Sequence, residues 1–181
     1  MLMHLSQLGV RVTLVCATNG EAGKPHPSVG AVDDLGALRT EELRLSCRRL
    51  GIDPPVLLKF HDSARGERQR HGDARALANV DMLEVEAAIR RVIAEVKPQV
   101  LLTFDPHGGY YHPDHLAVHR ATTAAFFSSG AMGAVAPERH GNAGEREIDS
   151  TANADLLVTR RPAALNRHLD GYQQIARSEL D

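Results

Sequence analysis

The stretch with the most chemistry in it reads GGYYHPDHLAVH, from Gly108 to His119, and brings His112, Asp114, His115 and His119 within a short reach of chain. Imidazoles and a carboxylate together suit either proton transfer or the binding of a divalent metal. Pro113 is well placed as the first residue of a helix, which makes His112 its cap and puts Asp114 and His115 in the opening turn. The unpaired N–H groups of that turn create a positive potential that disfavours an imidazolium and so favours the neutral, metal-binding ring. His112 and His115, three residues apart, can point toward one volume, and Asp114 can orient a ring by accepting its second N–H. Taken alone, His-Pro-Asp-His is also only the polar opening of a helix, and His119, one turn further in, reads as a solvated or core-edge histidine rather than a ligand. Position favours a site: the turn follows a predicted parallel strand and a Gly-Gly-Tyr loop that lets backbone approach a ligand.

The elements that must hold this turn follow from periodicity. Residues 1–8 are apolar at Leu2, Leu5 and Leu8 and stop at Gly9, like the last turns of a helix. Residues 10–17 form a nearly continuous β-branched run, the pattern of a strand covered on both faces, and lead into the glycine-bearing loop 18–23. A proline- and glycine-punctuated loop over 24–36 precedes a helix marked by Leu43, Cys47 and Leu50 and closed by Gly51. A short strand is expected at 56–60, then a polar, mobile loop at 61–79. Met82, Val85, Ile89, Val92, Ile93 and Val96 mark an amphipathic helix ended by Lys97-Pro98, and 100–104 reads as another buried strand. Leu116, Val118, Ala121, Ala125 and Phe126 continue the helix opened by Pro113. Residues 128–154 are rich in Gly, Ala, Asn and Glu and are expected to be a flexible loop; 156–159 reads as a final short strand and 162–177 as a closing helix. Repeated alternation of strand and helix implies an α/β fold, a Rossmann-like, mostly parallel sheet with helices on both faces.

The length of 181 residues fits a single domain, 1–181, with its own core. A formal charge of -2 lacks the basic excess of a nucleic-acid binder. Two cysteines, Cys16 and Cys47, are too few for a disulfide framework and wrongly spaced for a thiolate zinc site, so a reducing cytoplasm is the expected compartment. No stretch approaches the length of a membrane span, and a nucleotide-binding reading suffers because 18–23 lacks both a G-x-G-x-x-G fingerprint and a P-loop lysine.

Four stretches in order carry a resemblance: Thr18-Asn19-Gly20-Glu21-Ala22-Gly23, Arg39-Thr40-Glu41-Glu42-Leu43, Asp62-Ser63, and Asp105-Pro106-His107-Gly108-Gly109-Tyr110-Tyr111-His112-Pro113-Asp114-His115. Together they resemble the LmbE-like, or PIG-L, family of zinc-dependent de-N-acetylases, nearest the mycothiol-pathway branch that acts on N-acetylglucosaminyl-inositol, over most of the chain to about Phe127. The resemblance implies a zinc-dependent amide hydrolase, with Fe2+ as an alternative metal, whose partner is a small-molecule amino-sugar conjugate. It makes His115 a metal ligand, His112 the group that polarises the amide and protonates the leaving amine, Asp114 its orienting partner and Tyr110 the stabiliser of the oxyanion. Arg39 and Asp62 fall where relatives hold sugar hydroxyls, and Glu42 is placed to brace Arg39; without the resemblance, Arg39 reads as a solvated helix face and Asp62 as a loop cap.

The sequence departs from that pattern at its start. The family opens on a strand followed by His-Pro-Asp-Asp-Glu, which supplies two zinc ligands and the general base, and no such motif occurs in these 181 residues. The expectation is therefore an N-terminally truncated domain whose first strand is absent and whose activity is impaired, with a non-catalytic sugar-binding or vestigial remnant as the alternative. Oligomeric state and aglycone leave no mark in the sequence.

Overall fold

The computed structural model describes residues 1–25, 27–29, 31–129 and 156–160, with residues 29 and 156–160 described by their backbone alone. Strand β1 (Arg11–Cys16) is buried from Val12 onward, as its unbroken apolar run requires. Its side chains alternate between two helical layers. Val12, Leu14 and Cys16 pack on the side of helices α1 (Leu2–Gln7) and α2 (Leu35–Leu50), while Val15 and Ala17 enter the larger core with α3 (Met82–Val96) and α5 (Pro113–Ser128).

Four strands form the sheet in the order β2-β1-β4-β3, where β2 is Val56–Leu57, β3 is Val100–Thr103 and β4 is Leu156–Arg160. β1 pairs parallel with β2, and β4 runs antiparallel to both β1 and β3, so β1, β2 and β3 share one direction. The architecture is α/β and Rossmann-like, with helices on both faces.

Local chemistry sets the helix ends. Asp34 caps α2 by accepting from Ala37 N–H at 2.8 Å, and Gly51 closes it at φ +69°. Asp81 caps α3 through Leu83 N–H. The α3 stripe of Val85, Ile89, Val92 and Ile93 packs on Val118, Ala121 and Ala125 of α5. Each such large aliphatic side chain, once buried, contributes roughly 1.5–3 kcal/mol.

Three expectations change. The strand expected at 56–60 pairs only at Val56 and Leu57, because Lys59 takes φ +64°; Leu58 and Phe60 still donate to Cys16 and Ala17 carbonyls at 2.9 and 3.0 Å. β3 is not buried throughout: it is outermost in the described sheet, and Val100 and Thr103 are exposed. The segment 61–79, expected to be a polar, mobile loop, is polar but anchored as a strap. Ala76 and Leu77 are buried, His61 and Ala76 form a parallel bridge, and the Asn79 amide donates to the Arg70 and Asp73 carbonyls at 2.8 Å. The residues 130–154 of the expected flexible stretch and the expected helix at 162–177 lie outside the described residues. Among the described residues no helix is long and apolar enough to cross a membrane.

Candidate active site

A cavity of about 550 Å³ opens where the carboxyl end of β1, the face of α2 from Arg39 to Leu50, the strap and the start of α5 meet. Arg39, Asp62, Tyr110, His112, Asp114 and His115 all line it, so the fold brings together the whole set of residues singled out in the sequence.

The two histidines are held by opposite kinds of backbone group. His112 is the N-cap of α5, and its Nδ1 accepts from the Asp114 N–H at 3.2 Å. A ring whose Nδ1 lone pair is engaged carries its proton on Nε2. His115 Nδ1 lies 3.0 Å from the Gly108 carbonyl oxygen, which can only accept, so Nδ1 carries the proton and Nε2 keeps a free lone pair. Burial lowers the pKa of His112, helped by the neighbouring His115, and burial also lowers that of His115 against the opposing bond to Gly108, so both rings are neutral near pH 7. His115 is further fixed by stacking on Phe104, with centroids 3.9 Å apart, and Tyr110 stands edge-on to it at 5.1 Å and to His112 at 5.9 Å.

The turn that creates this arrangement is the short distorted helix α4 (Gly108–Tyr111). Gly108 sits at φ +62°, which aims its carbonyl at His115, and a Cβ there would come within 2.9 Å of His115 Cβ and 3.0 Å of Leu116 N.

Asp114 plays a different part from the one its spacing suggests. Its carboxylate lies 4.0 Å from His112 Nδ1 and instead accepts from the Ser63 N–H at 3.1 Å; the ring is held by the backbone of Asp114, not by its side chain. Burial pushes its pKa from 3.8 to about 6, opposed by the Ser63 hydrogen bonds. Its second oxygen, Oδ1, is buried without a partner.

Asp62 does cap its own loop, accepting from Ala64 N–H at 2.7 Å, while lining the cavity as well. Arg39 is half-buried and donates from Nη1 to the Gly20 carbonyl at 2.8 Å; no ion pair joins it to Glu42 among the described residues. Gly20, at φ +70°, leaves the room that this guanidinium fills. His119 donates from Nδ1 to the Phe104 carbonyl at 2.7 Å and is a core-edge residue.

Three further residues shape the cavity without a signal of their own in the sequence. Glu21 accepts from the Asp62 N–H at 2.9 Å and from Arg70 at 3.0 Å, with its Oε2 buried and unpartnered. Ser63 joins the strap to Asp114, and Phe104 forms the wall behind His115. All three lie in or beside the quoted motifs, but no local period marks them.

Two sets of metal-capable donors face the cavity. One is His115 Nε2; the other is the trio Asp62, His112 and Asp114, whose potential ligand atoms lie within 4.8 Å of one another and in which the two carboxylates are the available donors, His112 Nδ1 being engaged and its Nε2 protonated. Mixed nitrogen and oxygen donors suit zinc and several other divalent ions, and the orphaned Asp114 Oδ1 is a buried acceptor that such a cation would satisfy.

Comparison with known proteins agrees with this chemistry. The chain is 39% identical over 132 residues to a 1D-myo-inositol 2-acetamido-2-deoxy-alpha-D-glucopyranoside deacetylase of Rhodococcus opacus, covering 67% of this chain and 45% of that protein. It is 38% identical over 142 residues to the enzyme of the same name from Mycobacterium leprae, covering 70% and 44%, and 35% identical over 159 residues to that of Actinosynnema mirum, covering 80% and 56%. The chain thus spans about half the length of these curated relatives. Residues 1–126 match the family described as PIG-L, GlcNAc-PI de-N-acetylase, and the chain belongs to that family.

Proposed function

We propose that the protein is a divalent-metal-dependent amide hydrolase that removes the acetyl group from an N-acetylglucosaminyl small-molecule conjugate, with zinc as the expected metal and Fe2+ as the alternative. The observation that carries this reading is the sorting of the two histidines. His115, with Nε2 unprotonated, is the metal ligand. A divalent cation, when bound, acidifies a water to a pKa near 7 and polarises the amide carbonyl.

The remaining roles fall to this chain's side chains. His112 offers Nε2–H to the amide and passes that proton to the departing amine, a contribution typically of about 10²–10⁴-fold in rate. Tyr110, with its ring beside both imidazoles, donates its hydroxyl to the oxyanion. Asp114 orients His112 through its backbone N–H, and Arg39 and Asp62 hold sugar hydroxyls. The His-Pro-Asp-Asp-Glu segment that the family pattern calls for has no counterpart in these 181 residues. Two buried, unbridged cysteines suit a reducing cytoplasm.

The test is metal content together with amine release from N-acetylglucosaminyl-inositol. His115→Ala is expected to lose the metal, and His112→Gln to keep it while turnover falls by about 10²-fold or more. A His115→Ala protein that retains metal and full turnover would overturn the assignment. Sugar binding with no amine released, even with zinc in excess, would favour the non-catalytic reading.

A further inference from the structure

The rim of the cavity carries more positive charge than the sugar hydroxyls assigned to Arg39 call for. Arg39, Arg65 and Arg68 all line the cavity, and Arg70 stands behind them. Their donors are unequally committed. Arg70 is paired with Glu21 at 3.0 Å, Arg39 donates to the Gly20 carbonyl, and Arg68 gives one N–H to the Ala22 carbonyl at 3.0 Å. Arg65 has none of these ties. Its guanidinium lies 5.1 Å over the ring of Tyr110, and among the described residues it forms no ion pair.

A guanidinium held over an aromatic face by its charge spends no N–H on that contact, so its donors stay available to receive a carboxylate or phosphate through two parallel hydrogen bonds. The backbone beneath is fixed. Ser63 N–H is held by Asp114, Ala64 N–H by Asp62, and Arg70 N–H by the Ser63 carbonyl at 3.0 Å, so Arg65 projects from an anchored segment. Ala64 at φ +52° and Gly66 at φ +59° turn the chain on either side of it. An arginine so mounted, over the ring of the proposed oxyanion donor and without an ion pair among the described residues, is placed to read the ligand.

We propose that Arg65, assisted by Arg68, selects conjugates whose group beyond the amino sugar bears an anion, a carboxylate or a phosphate. This rests on the reading that the sugar occupies the cavity beside Arg39 and Asp62. Arg65 acts as a specificity residue, and it leaves affinity for a neutral glycoside unchanged.

The experiment titrates the full chain, labelled for arginine Nε–Hε resonances, with methyl N-acetylglucosaminide, N-acetylglucosamine 1-phosphate and carboxymethyl N-acetylglucosaminide. At low ionic strength at least one charged probe should bind about tenfold more tightly than the neutral one, and the advantage should shrink as salt screens the rim. Which charged probe gains distinguishes phosphate from carboxylate. Arg65→Ala should erase the advantage with the neutral Kd within about twofold of wild type, and Arg65→Lys, which keeps the charge without the fork, should retain part of it. Equal binding of all three probes, or a preference that survives Arg65→Ala, overturns the proposal and leaves the sugar site standing. Inorganic phosphate provides the converse arm: if it shifts the Arg65 Nε–Hε signal while the neutral glycoside fails to bind, the anion site stands and the sugar reading falls.

Discussion

The turn at 108–115 and the strap at 61–79 meet in one cavity but are built in opposite ways. In the turn, each functional side chain is set by backbone close by in sequence: His112 by a group two positions away and His115 by one seven positions away. In the strap, the decisive bonds run from Asp62 to Glu21, Ser63 to Asp114 and Arg70 to Glu21, across 41, 51 and 49 positions. The turn is therefore a local device that chooses which ring nitrogen faces the cavity. The strap is a tertiary product that closes the cavity's wall, and Asp114 belongs to both, with its N–H in the first and its carboxylate in the second.

Damage to the turn should be the most severe. Gly108→Ala would force a side chain onto φ +62° and against His115 Cβ and Leu116 N, at a cost on the order of 3 kcal/mol. Chemical denaturation would read this as a fall in the midpoint, and metal affinity should fall with it because the carbonyl that fixes the His115 tautomer is displaced. A stability change under about 0.5 kcal/mol, the range of ordinary surface substitutions, would mean the turn is more plastic than described.

Asp114 tests the joint between the two regions. At pH 4, where the carboxyl is largely neutral, Asp114→Ala should cost about 1–3 kcal/mol, because the buried Ser63 N–H loses its acceptor. Asp114→Asn isolates the charge. In the metal-free protein the folded carboxyl holds its proton up to about pH 6, whereas the unfolded one releases it near 3.8, so wild-type stability falls as pH rises through that window. The asparagine variant should gain on wild type by on the order of 2–3 kcal/mol between those limits and no further above them. His112 and His115, with folded pKa values below 6.5, contribute the opposite slope, in which stability falls as pH drops below 6.5; it is common to both proteins and cancels in the difference. A pH-independent difference would show that Asp114 is not buried as a strained acid.

The strap's outer tie should matter least. Arg70 and Glu21 are both partly solvent-exposed, and Glu21 keeps its bond from the Asp62 N–H when Arg70 is removed. Arg70→Ala should cost no more than about 1 kcal/mol and less at high salt, as measured by thermal unfolding. A loss of several kcal/mol would mean that the strap depends on this pair rather than on its buried anchors at Ser63 and Leu77.

The same contrast explains what the sequence makes legible. The buried run of β1, the α3 stripe from Val85 to Ile93, the Pro113 start of α5 and the glycine stop of α2 are all periodic or local signals, and the fold keeps them. Lys59 gives no warning of its positive φ, so β2 ends three residues early, and nothing near residue 156 announces that β4 will lie between β1 and β3. At the site, the convergence of His112, Asp114 and His115 on one cavity is legible because they sit on one helix start. The exchange of roles at Asp114 is not, because its carboxylate is claimed by a serine from a distant segment. Glu21 is hidden for the same reason.

The central claim is that backbone partners give the two neighbouring imidazoles opposite tautomers, leaving a proton donor on one and a metal-ready lone pair on the other. Two-bond ¹H–¹⁵N correlation spectra of the histidine side chains near pH 7, assigned with His112→Gln and His115→Gln, read this directly. The expected result is a protonated Nε2 on His112 and a protonated Nδ1 on His115. Finding the same tautomer on both rings, or a charged imidazolium at either, would contradict the account.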